Sequence, residues 1–144
     1  MKKITLIAFV LSIVSVFHLK AQVGTTYDEG QITELTYLKV EYGHFDDYVK
    51  WLNSTWKPYM QSLKKAELIV DYKVFSMRPK SLDEPNVMFM IIYKNMAELD
   101  RTAEREALAM KMIGSVKEQD EARAKRNEYR KRLGTELIRE LILK

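Results

Sequence analysis

"YLKVEYGHFDDYVKWLNSTWKPY", residues 37–59, decides how this chain folds. In its opening residues apolar and polar side chains alternate, with Leu38, Val40 and Tyr42 on one side, which is the pattern of a strand. Gly43 ends it. Asp46 and Asp47 then put negative charge where the first turn of a helix favours it. Apolar residues follow at Phe45, Tyr48, Val49, Leu52, Trp56, Tyr59, Met60 and Leu63, a helical stripe. Pro58 stands inside that stripe, where it removes an N–H and crowds the Ser54 carbonyl, costing about 3 kcal/mol in a regular helix interior. The stripe keeps its phase through the proline, so the spacing predicts a bend that wraps one helix over a sheet.

Upstream, "ITELTYLKVEY" (32–42) extends the strand, and Leu35 and Tyr37 make its second face apolar too. A strand greasy on both faces is expected at the centre of a sheet. Residues 22–31, "QVGTTYDEGQ", carry two glycines and no apolar period, and read as a flexible lead-in. Before them, Met1-Lys2-Lys3 is a basic start, Ile4 to Phe17 is uncharged, and Ala21 is a small residue before a cut. Residues 1–21 therefore read as a secretory signal peptide, since a spanning helix needs about 20 apolar residues. The expected product is exported, periplasmic or extracellular, with no membrane attachment after cleavage. Lys2, Lys3 and Lys20 belong to the discarded segment, so 21 of the 24 Lys+Arg remain against 20 Asp+Glu, a net charge of +1. The alkaline character is thus a property of the leader, and gives no warrant for a nucleic-acid partner. With no cysteine, the chain has no disulfide, thiolate metal site or cysteine nucleophile, and must rest on its core.

Downstream, "ELIVDYKVFSM" (67–77) reads as a second strand, with Leu68, Val70, Tyr72 and Val74 on one face and Ile69 and Phe75 bracketing Asp71 and Lys73 on the other. Those charges suit a sheet edge and an Asp71–Lys73 surface ion pair. "VMFMIIYK" (87–94) is a third strand, apolar throughout and so buried on both faces. Asn95 and Glu98 form a capping pair for a helix buried along Leu99, Ala103, Ala107 and Met110 and closed by Gly114. Ser115 and Glu118 open a charged helix running to Leu133, with Ala122, Tyr129 and Leu133 as its core contacts. "TELIRELILK" (135–144) is a last strand by its β-branched residues, although its period also permits a terminal helix. Arg139 and Glu140 would project to opposite faces, and a charge facing a buried layer there suggests an ion pair across a dimer.

The order β-α-β-β-α(α)-β is the ferredoxin-like unit, α+β, a single domain over residues 32–144. "YLKVEYGHFDDYVKWLNSTWKPY" and "VMFMIIYKNMAELD" resemble the dimeric α/β-barrel superfamily, and within it small exported members of unassigned function. The resemblance implies a four-stranded antiparallel sheet, helices on one face, and a homodimer in which two sheets pack together. That superfamily includes cofactor-independent monooxygenases, haem-binding enzymes and members without known activity, so fold alone leaves function open. Independently, one helix layer covers one sheet face, and Leu35, Tyr37, Ile69 and Phe75 with the third strand leave the other face apolar, an arrangement that asks for a partner.

Trp56, Tyr59, Tyr72 and Tyr93 are the candidate lining of a cavity between helices and sheet for a small apolar or aromatic ligand, although such a stripe is commonly core. His44, the one histidine after the leader, is a weak catalytic or haem-ligand candidate at the strand-to-helix junction. Without a second histidine, cysteine or acidic spacing it makes no metal site, and no resident cofactor is expected. "RAKRNEYRKR" (123–132) is either a polyanion or protein-docking surface on the charged helix 116–133, or a solvated helix face. The readings left open are a non-catalytic or ligand-binding homodimer, a monooxygenase-like enzyme, and an interaction module.

Overall fold

A computed structural model describes residues 26–144; the expected signal peptide lies outside the described residues. Strand β1 (Tyr27–Val40) leads into helix α1 (Phe45–Trp51), a π-turn (Leu52–Trp56) and helix α2 (Lys57–Lys65). Strands β2 (Asp71–Ser76) and β3 (Val87–Tyr93) follow, then a 3-10 helix (Met96–Asp100), helices α3 (Thr102–Met112) and α4 (Val116–Asn127), and strand β4 (Arg130–Leu143). The sheet order is β2-β3-β1-β4, all neighbours antiparallel. This is the α+β, ferredoxin-like β-α-β-β-α(α)-β arrangement, with β1 and β3 central and β2 at an edge.

Where the bend is expected, the helix makes a π-turn. Lys57 N–H reaches five residues back to the Leu52 carbonyl, and Pro58 falls in the first turn of α2, where its missing N–H is tolerated. Tyr48, Leu52, Met60 and Leu63 from this helix bury against the sheet. They fill two adjoining cores. Ile32, Met60, Leu63, Leu68, Ile69 and Tyr93 form one, and Leu38, Val40, Tyr48, Leu52, Val87 and Phe89 the other.

Several boundaries differ from the expectation, each for a local reason. β1 begins at Tyr27, so residues 27–31 of the expected lead-in are strand. They pair with Leu141–Leu143 beyond a bulge at Gly30-Gln31, where a Cβ on Gly30 would stand 2.9 Å from that of Glu140. Tyr42 lies past the end of β1 and is fully exposed, not on the buried face with Leu38 and Val40. β2 begins at Asp71 because Glu67 takes a left-handed turn (φ 56°) that drops both Leu68 and Ile69 into the core. Ile69 is therefore not part of the open face. Asp71 pairs with Lys64 of α2 at 2.9 Å rather than with Lys73.

Asn95 makes no side-chain cap; it starts the 3-10 helix, which resets the phase of α3. Arg105, Leu108 and Ala109 are the half-buried residues there, whereas Ala103, Ala107 and Met110 face solvent. The Ser115–Glu118 capping box forms as expected, and both of its hydrogen bonds are made. α4 stops at Asn127, however, and the basic run Arg130–Arg132 is already strand. The last segment is strand and not helix, and Leu133 is the extra residue of a bulge opposite Tyr37/Leu38. Arg139 binds Glu29 of the neighbouring strand within the same chain, so it is not the buried charge expected to seek a partner.

Candidate functional site

Cross-strand register sorts the sheet into two faces. On the helix side lie Ile32, Leu38, Val40, Val87, Phe89 and Tyr93. The opposite face has no covering element among the described residues, and its side chains form three rows. Phe75, Met88, Tyr37 and Gly134 make the first row. Lys73, Met90, Leu35 and Glu136 make the second, and Asp71, Ile92, Thr33 and Ile138 the third. Apolar side chains occupy the middle of the face, with Phe75 and Ile138 well exposed at its margins. The charges sit at the edges: on β2 Lys73 and also Asp71, which is paired with Lys64, and on β4 Glu136, which accepts a 3.4 Å hydrogen bond from the Tyr37 hydroxyl. This patch is larger and more continuous than the scattered apolar residues ordinary on a monomer.

The four aromatic candidates gather around the first core, Tyr93 within it and Trp56, Tyr59 and Tyr72 packed against it. Tyr93 is buried in the first core, its hydroxyl donating to Glu34 at 3.4 Å; burial first, and the Glu34 charge second, push its pKa up to about 12. Tyr59 donates to the Arg105 carbonyl and is raised by burial. Trp56 and Tyr72 meet edge to face at 5.3 Å and, with Val49, Leu52 and Val74, border an open groove of about 210 Å³ beside β2. A larger hollow of about 630 Å³ lies at the end of the sheet, between the β1–α1 junction and loop 77–86. Its wall is fixed by Asn86, whose side chain accepts from Val40 N–H and donates to Val40 O, both at 2.8 Å.

His44 stacks on Tyr129 at 5.0 Å, at the rim of an aromatic and cationic cluster. Tyr48, fully buried, stacks on Trp51. The Arg126 guanidinium lies 4.1 Å from the Trp51 ring, and Arg130 N–H donates to the Tyr48 hydroxyl at 3.3 Å. Burial raises the Tyr48 pKa, opposed by the Arg130 hydrogen bond; burial, then Arg130, lowers that of Arg126. The sequence places Trp51 off the main stripe, and nothing local signals that Arg126 would cover it. Among the described residues no group of three or more His, Cys, Asp or Glu could hold a metal ion. No helix among them is long and apolar enough to cross a membrane.

No family model matches the chain, and no curated protein does either. Solved structures share its architecture, two of them over most of their length. One is a protein from Shewanella oneidensis, 16% identical, with a TM-score of 0.52 over 81% of this chain and 96% of that one. The other, from an uncultured marine organism, is described as a dimeric ferredoxin-like protein; it is 12% identical, with a TM-score of 0.52 over 81% of this chain and 98% of that one. The fold is ferredoxin-like. At such identities the likeness speaks to the fold alone.

Proposed function

We propose that this protein is an exported, homodimeric α/β-barrel module that binds a small apolar or aromatic ligand, with the two sheets closed on each other. The observation that carries the dimer is the uncovered sheet face, apolar at its centre, with Lys73 at its β2 edge and Glu136 at its β4 edge in one row. The edge charges select the symmetry. If a two-fold axis ran across the strands, Lys73 would face its own copy. With the axis parallel to the strands, Lys73 of each protomer meets Glu136 of the other, while Met90 and Leu35 close over one another. A relative of this fold described as dimeric supports the same occupant. The groove beside Trp56 and Tyr72 supports the ligand part of the proposal, because it offers an edge-to-face aromatic pair with apolar walls away from the sheet face.

Sedimentation equilibrium on residues 22–144 tests the dimer. A dimer in the micromolar range, converted to monomer by Met90→Glu with unchanged circular dichroism, is expected. A monomeric wild-type protein at tens of micromolar overturns it. For the groove, a neutral naphthol probe should quench Trp56 fluorescence saturably, and should cease to bind when Tyr72→Ala removes one wall.

A further inference from the structure

Of the half-buried arginines among the described residues, two bind carboxylates or backbone carbonyls and two do not. Arg101 holds the carboxylates of Glu98 and Glu104, and Arg105 donates to the carbonyls of Glu98 and Leu99. Arg126 and Arg130 are the other two. They are equally half-buried and lie together where α4 passes into β4. No carboxylate of the described residues lies within ion-pair distance of either. The Nε–H of each is enclosed and has no acceptor. Arg130 has neutral partners, the Tyr48 hydroxyl and the Asn127 side-chain carbonyl at 3.1 Å, while the Arg126 side chain makes no hydrogen bond among the described residues and rests on the Trp51 ring.

Two half-buried guanidiniums brought together with no carboxylate in contact are costly. The rigid fork of each is nevertheless suited to a planar or tetrahedral oxyanion. Arg130 opens onto a hollow of about 450 Å³ whose lining continues through Lys131 and Arg132. Glu41 and Glu128 also line it, but Glu41 is engaged by Lys39 at 3.7 Å. Trp51 and Tyr48 form the floor beneath the two arginines.

We propose that Arg126 and Arg130, floored by Trp51 and Tyr48, form a receptor for an oxyanion carried as a carboxylate or a phosphate. Arg130 is paired with the buried Val40, so the two arginines lie on the helix side of the sheet, while Lys131, paired with Lys39, reaches the end of the hollow from the other side. The anion is met by the terminal N–H groups of the Arg126 guanidinium, which make no hydrogen bond among the described residues, and draws on Lys131 at the mouth of the hollow.

The test is a titration of residues 22–144 with inorganic phosphate and, separately, with acetate, at constant ionic strength made up with chloride, read on the arginine Nε–H resonances. Saturable shifts of the Arg126 and Arg130 signals are expected, with a dissociation constant on the order of 1 mM, as suits a small ion with few contacts. The stronger of the two arms identifies the source, phosphate or carboxylate. Arg126→Gln should weaken binding at least tenfold. Arg126→Lys, which keeps the charge but loses the fork, should recover only part of it, and Arg123→Gln, on the exposed side of α4, should leave it unchanged. Shifts in neither arm, shifts that chloride reproduces, or undiminished binding in a folded Arg126→Gln variant would each overturn the proposal.

Discussion

Lys73→Glu perturbs one edge of the uncovered sheet face and leaves the core alone, since Lys73 is exposed and forms no ion pair among the described residues. In the proposed dimer the two-fold axis repeats the change, so two Lys–Glu136 attractions become two Glu–Glu136 repulsions. An exposed ion pair is worth about 0.2–1 kcal/mol, and a like-charge pair costs a similar amount. Each contact therefore swings by about 0.4–2 kcal/mol, and the two together by about 0.8–4 kcal/mol. At 1.4 kcal/mol per decade this weakens the dimer by about 4-fold to 700-fold. Glu136→Lys should do the same, and the double variant Lys73→Glu/Glu136→Lys should return to within a few-fold of wild type. Sedimentation equilibrium at about 0.05 M and about 0.5 M salt is the assay, because screening should shrink the single-variant effects. Should the double variant be as weak as the sum of the singles, the axis is not parallel to the strands. Should neither single variant alter a dimer that persists, the protomers meet through another surface.

Three further outcomes follow from side chains already placed. Asn86→Ala strips both backbone groups of Val40 of their partner and should lower unfolding free energy by about 1–3 kcal/mol in urea titration, with loop 77–86 becoming protease-sensitive. Gly30→Ala would drive a Cβ into Glu140 and should destabilise the protein, an effect that Glu140→Gly, placing the glycine on the facing strand, is expected to relieve in part. Tyr93 has a folded pKa raised to about 12 from 10, so the folded state holds its proton more tightly; its contribution is complete below pH 10 and lost between pH 10 and 12. The loss is no more than about 3 kcal/mol. Tyr93→Phe should flatten the alkaline decline in chemical stability without abolishing it, since Tyr48 and Tyr59 are raised as well.

What the sequence made legible was local. β3 is apolar at every position and could only be a central strand, and the Ser115–Glu118 box announces α4 by its own two hydrogen bonds. The lost boundaries were decided by distant residues. Arg130–Arg132 continue the charge pattern of α4, yet they become strand because β1 offers Leu38–Val40 as partners. Residues 27–31 have no apolar period of their own, and are ordered by Leu141–Leu143 at the other end of the chain. The phase of α3 was misread because a 3-10 turn looks like the start of an α-helix in a sequence. The candidate site divides in the same way. Trp56 and Tyr72 were visible as aromatics on apolar faces, and they do meet at a groove. The pairing of Arg126 with Trp51 was not visible, because a cation over a ring is a tertiary contact and leaves no spacing rule behind.

The π-turn explains why a proline is tolerated in the helix that carries the cores. In an unbroken α-helix, at about 100° per residue, Tyr48 and Met60 would sit about 120° apart. A π-turn accommodates one extra residue, and with it the offset falls to about 20°. Leu52 and Leu63 then lie about 40° to either side of Tyr48, so all four buried side chains share one face. Without the insertion the stripe would spread across roughly a third of the circumference and Met60 would turn away from β1 and β3. The ladder is opened ahead of Pro58, which has no N–H to contribute. Trp56, the last residue of the turn, packs against both cores and stacks on Phe89 at 4.8 Å. The same turn that joins the two cores thus sets the indole at the mouth of the groove beside β2, so the geometry of the ligand groove is inherited from the packing of the helix.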